Sequence, residues 1–167
     1  RSVLVTGVQT CALPIFKDVL ENIERYSAAN NHYVFEITET IEMDQIPAVQ
    51  NVFKEFVKNE FRFAIDDFGT GYSNYGYMRD RTFDIVKVDR SFVTDIDKLK
   101  DNYLMVSFII KMAHEMGLHV CIEGVETKEE LSCVKKLGAD YIQGYYYGKP
   151  VCLQDFEEQH LKRFVLG

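Results

Sequence analysis

Hydrophobic and polar positions along the chain fall into strand-like and helix-like runs that alternate from one end to the other. Phe16, Val19, Leu20, Ile23 and Tyr26 keep helical spacing, and Asn30-Asn31 marks an exit. Tyr33-Val34-Phe35-Glu36-Ile37-Thr38 reads as a strand, with Glu36 inside it and Glu39 just beyond. A helix over 48–58 places Val49, Val52, Phe53 and Phe56 on one face, and Phe61, Phe63 and Ile65 then alternate with Arg62 and Ala64 as a strand ending at Asp66-Asp67. The β-branched run 83–89 predicts the next strand and puts Lys87 and Asp89, two apart, on one face. A long helix over 102–116 stops at Gly117, a strand covers 119–122 and ends at Glu123, and a helix over 128–137 is capped by Thr127 and closed by Gly138. A last short strand covers 141–144, and 154–164 has a helical pattern.

Strands and helices in strict alternation, without hairpin signals, predict an α/β fold with a parallel sheet. Each predicted strand ends in a polar group: Glu36, Asp66-Asp67, Lys87 with Asp89, Glu123, Gln143. Such convergence is expected of a barrel whose strand C-termini build one site. About five βα units are visible, whereas a closed eight-unit barrel takes about 200 residues or more. The expectation is therefore an incomplete TIM-like (β/α) barrel, with further units upstream.

Composition narrows the picture modestly. The 167 residues, 47% hydrophobic and 27% charged, suit one globular core, and the net charge of -7 argues against a DNA or RNA polymer as partner. Cys11, Cys121, Cys133 and Cys152 form no CxxC pair and read as reduced thiols of a cytoplasmic protein. No run approaches the roughly 18 apolar residues of a spanning helix. Residues 1–15 do not join smoothly to the helical pattern that begins at Phe16 and read as a foreign segment, with neither helical periodicity nor a signal-peptide pattern.

The chemistry concentrates in Ala64-Ile65-Asp66-Asp67-Phe68-Gly69-Thr70-Gly71-Tyr72-Ser73. Adjacent acids at a strand end repel each other unless a cation or donor compensates them, and Gly69 and Gly71 let a loop fold tightly beside them. A solvated Asp turn explains the same residues. Lys87 can equally be an ion-pair partner of Asp66 or Asp89, Glu123 a helix cap and Gln143 a satisfier of backbone groups. Three other motifs are set aside. His114-Glu115 with His119 is one residue too long for the helical zinc motif, and Gly69-Thr70-Gly71 lacks the rest of a nucleotide loop. Tyr145-Tyr146-Tyr147 reads as core and rim packing.

Taken together, Glu36-Ile37-Thr38-Glu39, Asp66-Asp67-Phe68-Gly69-Thr70-Gly71-Tyr72-Ser73, Lys87-Val88-Asp89-Arg90-Ser91-Phe92, Glu123-Gly124-Val125-Glu126-Thr127 and Gln143-Gly144-Tyr145-Tyr146-Tyr147-Gly148-Lys149-Pro150 resemble the EAL family of cyclic di-GMP phosphodiesterases. The resemblance covers 16–167, in the family's order and spacing. It implies a modified TIM barrel that opens cyclic di-GMP to linear pGpG with two metal ions, Mg²⁺ or Mn²⁺. It would make Glu36 and Asp66 metal ligands, with Asp67 serving the second metal and Asp89 close by. Lys87 would orient the attacking water or offset phosphorane charge, Glu123 would hold a metal-bound water or act as base, and Gln143 would support that network. Glu39 would anchor the loop that starts at Phe68.

The resemblance further implies a homodimer through the loop after Asp67 and an upstream sensor or diguanylate cyclase domain, with membrane tethering through an N-terminal region left open. The name-giving Glu-Ala-Leu and the Asn of the following strand are absent from the sequence; both belong before Phe16. The expectation is that residues 16–167 are the C-terminal portion of an EAL domain, inactive as this chain. A non-catalytic cyclic di-GMP receptor is the alternative, and an unrelated metal-dependent lyase or isomerase barrel would share the carboxylates but not the Asp-Asp-Phe-Gly-Thr-Gly loop.

Overall fold

The computed structural model describes residues 33–38, 47–70 and 83–156. The predicted helix at 16–26, the segment 1–15, Glu39, Tyr72, Ser73 and most of 154–164 lie outside them. Strand β1 (Val34–Thr38) leads to helix α1 (Pro47–Lys58) and strand β2 (Arg62–Phe68). Strand β3 (Ile85–Val88), a 3₁₀ turn at Arg90–Phe92 and helix α2 (Lys100–Glu115) follow. The chain continues through β4 (His119–Ile122), α3 (Lys128–Leu137), β5 (Tyr141–Ile142) and the short helix α4 (Leu153–Phe156). All five strands are parallel and lie in the order β1-β2-β3-β4-β5. A doubly wound sheet reverses direction at its middle, whereas this sheet advances one way, as a barrel wall must.

Parallel pairing places Phe35, Phe63, Val86, Val120 and Ile142 on one face, and that face carries the core. Helix α1 turns Phe53 and Phe56 onto it; the Phe53 ring stacks on Phe63 at 4.2 Å and the Phe56 ring meets Phe35 edge-on at 4.6 Å. Val106, Ile109, Ile110 and Ala113 of α2 and Leu131 and Val134 of α3 bury against the same side. Each fully buried aliphatic or aromatic side chain contributes about 1.5–3 kcal/mol, so this face supplies the stability. The opposite face carries Glu36, Ala64, Lys87 and Cys121.

Local signals set the helix ends. Thr127 and Glu130 form a reciprocal capping box at α3, and Gly138 closes it in the left-handed region at φ 90°. Two strands differ from the sequence pattern. β2 runs on to Phe68, past the two aspartates, and β5 is only Tyr141–Ile142, although Gln143 just beyond it still bonds Ile122 O and Val125 N–H.

Candidate active site

Lys87 stands on the face opposite the core and is 5% exposed. Its ammonium lies 2.8 Å from Glu36 Oε2, 2.7 Å from Asp66 Oδ1 and 2.8 Å from Glu123 Oε1. Burial alone would depress its pKa, but the surrounding carboxylates of Asp66, Glu123 and Glu36 outweigh burial and hold it above its ordinary value. Lys87 is therefore a fixed cation, unable to serve as a base near neutral pH. The Glu123 carboxyl moves up: burial raises it, Lys87 opposes, and Asp66 and Glu36 add to the rise. Cys121, beside Lys87 on the same face, is pushed up to about 12 by burial and the neighbouring Glu123, which leaves it an inert thiol.

Asp66 and Asp67 should point to opposite faces of a regular strand. The structure brings them together. The pairing of β2 with β3 is irregular between Ile65 and Phe68, and Asp67 takes φ 55°, a left-handed conformation that Asp tolerates better than most residues. Thr70 fixes the turn, its N–H and Oγ1 both donating to the Asp67 carbonyl at 3.2 and 2.9 Å. Oxygens of Asp66, Asp67 and Glu123 consequently lie within 4.8 Å of one another. Gly69 follows at φ 96°, where a Cβ would sit 3.0 Å from the Phe92 ring, so the turn packs directly on the 3₁₀ segment.

These atoms fit divalent cations. Three carboxylates (Glu36, Asp66, Glu123) contact one ammonium and the Asp67 carboxylate lies beside two of them, so negative charge exceeds positive when all are ionised. Glu36 Oε2 is buried and, although 2.8 Å from the ammonium, has no aligned hydrogen-bond donor among the described residues. Hard oxygen donors with uncompensated charge are what Mg²⁺ and Mn²⁺ require.

The remaining sequence candidates sit apart from this cluster. The Asp89 carboxylate, rather than sharing the Lys87 face, caps the 3₁₀ turn and accepts from Ser91 N–H at 2.9 Å. Burial would raise Asp89, but the hydrogen bonds of Ser91 outweigh it and lower its pKa. Gln143 follows β5 and is exposed, its main chain bonded to Ile122 O and Val125 N. Glu123 does not cap α3; Thr127 does. Tyr145, Tyr146 and Tyr147 are exposed rather than core. Sequence reasoning passed over Arg90, which lies against Gly124 and pairs with Glu126 at 3.0 Å.

The EAL domain family model matches residues 2–150. The chain belongs to the EAL family. Cyclic di-GMP phosphodiesterase PdeB of Shewanella oneidensis is 35% identical over 131 residues, covering 78% of this chain and 15% of PdeB. Among solved structures, the EAL enzyme Bd1971 in its cAMP- and cyclic-di-GMP-bound form superposes with a TM-score of 0.82 at 34% identity, over 94% of this chain and 42% of that one. The Klebsiella pneumoniae BlrP1 calcium and cyclic-di-GMP complex gives a TM-score of 0.70 at 27% identity, over 78% of this chain and 33% of BlrP1. This chain thus spans a minor share of each of these proteins. The likeness extends the partial barrel wall of the EAL chain to a TIM-like fold.

Proposed function

We propose that this EAL domain hydrolyses cyclic di-GMP to linear pGpG with two divalent cations, Mg²⁺ or Mn²⁺. The observation that carries the reading is the half-buried set of carboxylates that shares the single buried ammonium of Lys87 at the strand C-termini, with Glu36 Oε2 left without a donor among the described residues. Glu36, Asp66 and Asp67 would hold the cations, which when bound polarise the phosphoryl oxygens and activate a water. Glu123, its carboxyl raised by burial, would take a proton from that water as the water oxygen bonds to phosphorus and the ring's ester P–O bond breaks, the leaving oxygen taking a proton from solvent. Lys87, its ammonium held within 2.8 Å of three carboxylates, would offset negative charge developing on the phosphoryl group. Gln143 would support the network of that water and Asp89 the second metal, although both sit outside the carboxylate cluster, and Glu39 would anchor the loop beyond Phe68. The bound ligands of Bd1971 and BlrP1 and the name of PdeB support the substrate class.

The same reading assigns 16–167 to the C-terminal portion of the domain and 1–15 to a foreign segment, a boundary that the family match crosses. It also includes a cytoplasmic location, pairing through the loop after Asp67, and an upstream sensor or cyclase domain. Among the described residues no helix is long and apolar enough to cross a membrane. Because Glu-Ala-Leu and its Asn partner are absent from the sequence, turnover is expected only when the domain is completed. The test joins 16–167 to the segment of PdeB that precedes its match to this chain and follows pGpG formation with Mg²⁺, Mn²⁺ or chelator. Metal-dependent pGpG from the completed domain, and none from this chain alone, is the expected result. Saturable cyclic di-GMP binding without turnover in the completed domain would instead make it a receptor, and neither binding nor turnover would sink the reading.

A further inference from the structure

The loop at 123–126 carries Glu123 and is gripped from both sides by groups outside the carboxylate–lysine contacts. On the β5 side Val125 N–H donates to Gln143 O at 3.2 Å and Tyr146 N–H donates to Val125 O at 3.0 Å. Gly144 approaches the Val125 main chain so closely that no Cβ would fit. On the β3 side stands Arg90. Its aliphatic stem fills the space beside Gly124, where a Cβ would lie 2.5 Å from Arg90 Cγ, and Gly124 itself takes φ 71°. The guanidinium then reaches Glu126 Oε1 at 3.0 Å. Asp89 fixes the base of this arm by capping the 3₁₀ turn in which Arg90 is the first residue. An ion pair as exposed as this one, 58% and 39%, is weak alone. Combined with the stem packed on a left-handed glycine, it clamps the loop at two points.

We propose that Arg90 is a positioning residue for the hydrolysis, bracing the 123–126 loop so that Glu123 stays within reach of Lys87 and the water. This rests on the phosphodiesterase reading above. Arg90 is attached through Glu126 and Gly124, not through the substrate, so its loss acts on turnover and not on substrate affinity. Misplacing a reacting group by an ångström costs about 100-fold in rate, and removing a supporting partner about 10–100-fold.

The experiment compares wild type, Arg90→Ala and Arg90→Lys. In the completed domain, Arg90→Ala is expected to lower kcat at least about tenfold with KM unchanged, while Arg90→Lys, which keeps stem and charge, recovers most of it. In the 167-residue chain, hydrogen exchange at Val125 and Glu126 is expected to quicken in Arg90→Ala and to stay near wild type in Arg90→Lys. An unchanged kcat, or a raised KM at constant kcat, overturns the proposal. Should the wild-type completed domain show no turnover, the phosphodiesterase reading fails, and the exchange result alone decides the brace: unaltered exchange in Arg90→Ala removes it.

Discussion

At the N-terminal ends of the strands, Asp84 and Asp140 use the same device twice. Asp84 donates its main-chain N–H to Phe63 O and accepts from Phe63 N–H on Oδ2 at 3.0 Å. Asp140 does likewise with Val120, at 2.7 Å to Oδ2, and also meets His114 Nε2 at 2.8 Å. At the C-terminal ends, Glu36, Asp66 and Glu123 instead converge on one ammonium and on each other. Acids of the first kind are satisfied by the fold and knit neighbouring strands. Acids of the second kind share one ammonium, and Glu36 Oε2 among them has no donor among the described residues, an arrangement that costs stability and that a cation would relieve. Neutralising an acid should therefore have opposite consequences at the two ends.

The largest effect is expected at the C-terminal ends of the strands. In the completed domain, Glu123→Gln is expected to lower pGpG formation by about 10²–10⁴-fold. Chemical denaturation of the same variant should show stability equal to or above wild type, because one of several mutually repelling carboxylates is gone. A variant that lost stability together with activity would make Glu123 a structural acid and break the contrast.

Lys87→Met tests the contrast from the cation's side. It leaves three carboxylates facing one another in a mostly buried space, and breaking such a buried pair costs about 3–5 kcal/mol. Urea denaturation at pH 7 should show most of that loss, and at pH 4, where Glu123 with its raised carboxyl takes up a proton ahead of an ordinary glutamate, less of it. Equal losses at both pH values would mean that Lys87 acts through packing alone. Divalent cations probe the same undercompensation without mutation. At 100 times its dissociation constant, Mn²⁺ should stabilise the wild-type chain by about 2.7 kcal/mol if the unfolded chain does not bind it. The shift in melting temperature should vanish in Asp66→Asn, and its persistence there would move the ion elsewhere.

Much of this division was legible in the sequence, and its failures have a common cause. The register of β1, β3 and β4 and both ends of α3 come from periodicity and from Thr127 and Gly138, which are local signals. Glu36, Lys87 and Glu123 were readable because strand ends of a parallel sheet converge. Asp67 required a left-handed turn inside a strand, and Asp89 left the Lys87 face because Ser91 N–H offered it a nearer partner. Asp84 and Asp140 showed no signal, since their partners lie 21 and 20 residues away. Exposure of Tyr145, Tyr146 and Tyr147 likewise depends on what packs beyond β5, which pattern alone does not encode.

Glu130 gives a further satisfied acid for comparison. It is 6% exposed and accepts from the main-chain N–H groups of Asp95, Glu126 and Thr127 at 3.2, 2.9 and 3.0 Å. Burial would raise its pKa, but these donors outweigh it and lower it. Glu130→Ala should cost about 2 kcal/mol by chemical denaturation, the reverse of Glu123→Gln.

Asp140 supplies the smallest effect and the clearest pH signature. Burial alone would raise its pKa, but His114, Val120 N–H and His119 outweigh burial and place it below the ordinary 3.8. A carboxyl whose folded pKa lies below its unfolded one stabilises the fold above the unfolded value, and that stabilisation disappears as pH falls through the folded value. Asp140→Asn should therefore cost about 1 kcal/mol at pH 7, where the charge-assisted bonds are intact. The gap from wild type should hold down to about pH 5 and close progressively below about pH 4. Melting temperatures of both proteins across pH 2–7 measure it. A gap independent of pH would show that Asp140 acts through shape rather than charge, and the two ends of the sheet would then differ in geometry more than in electrostatics.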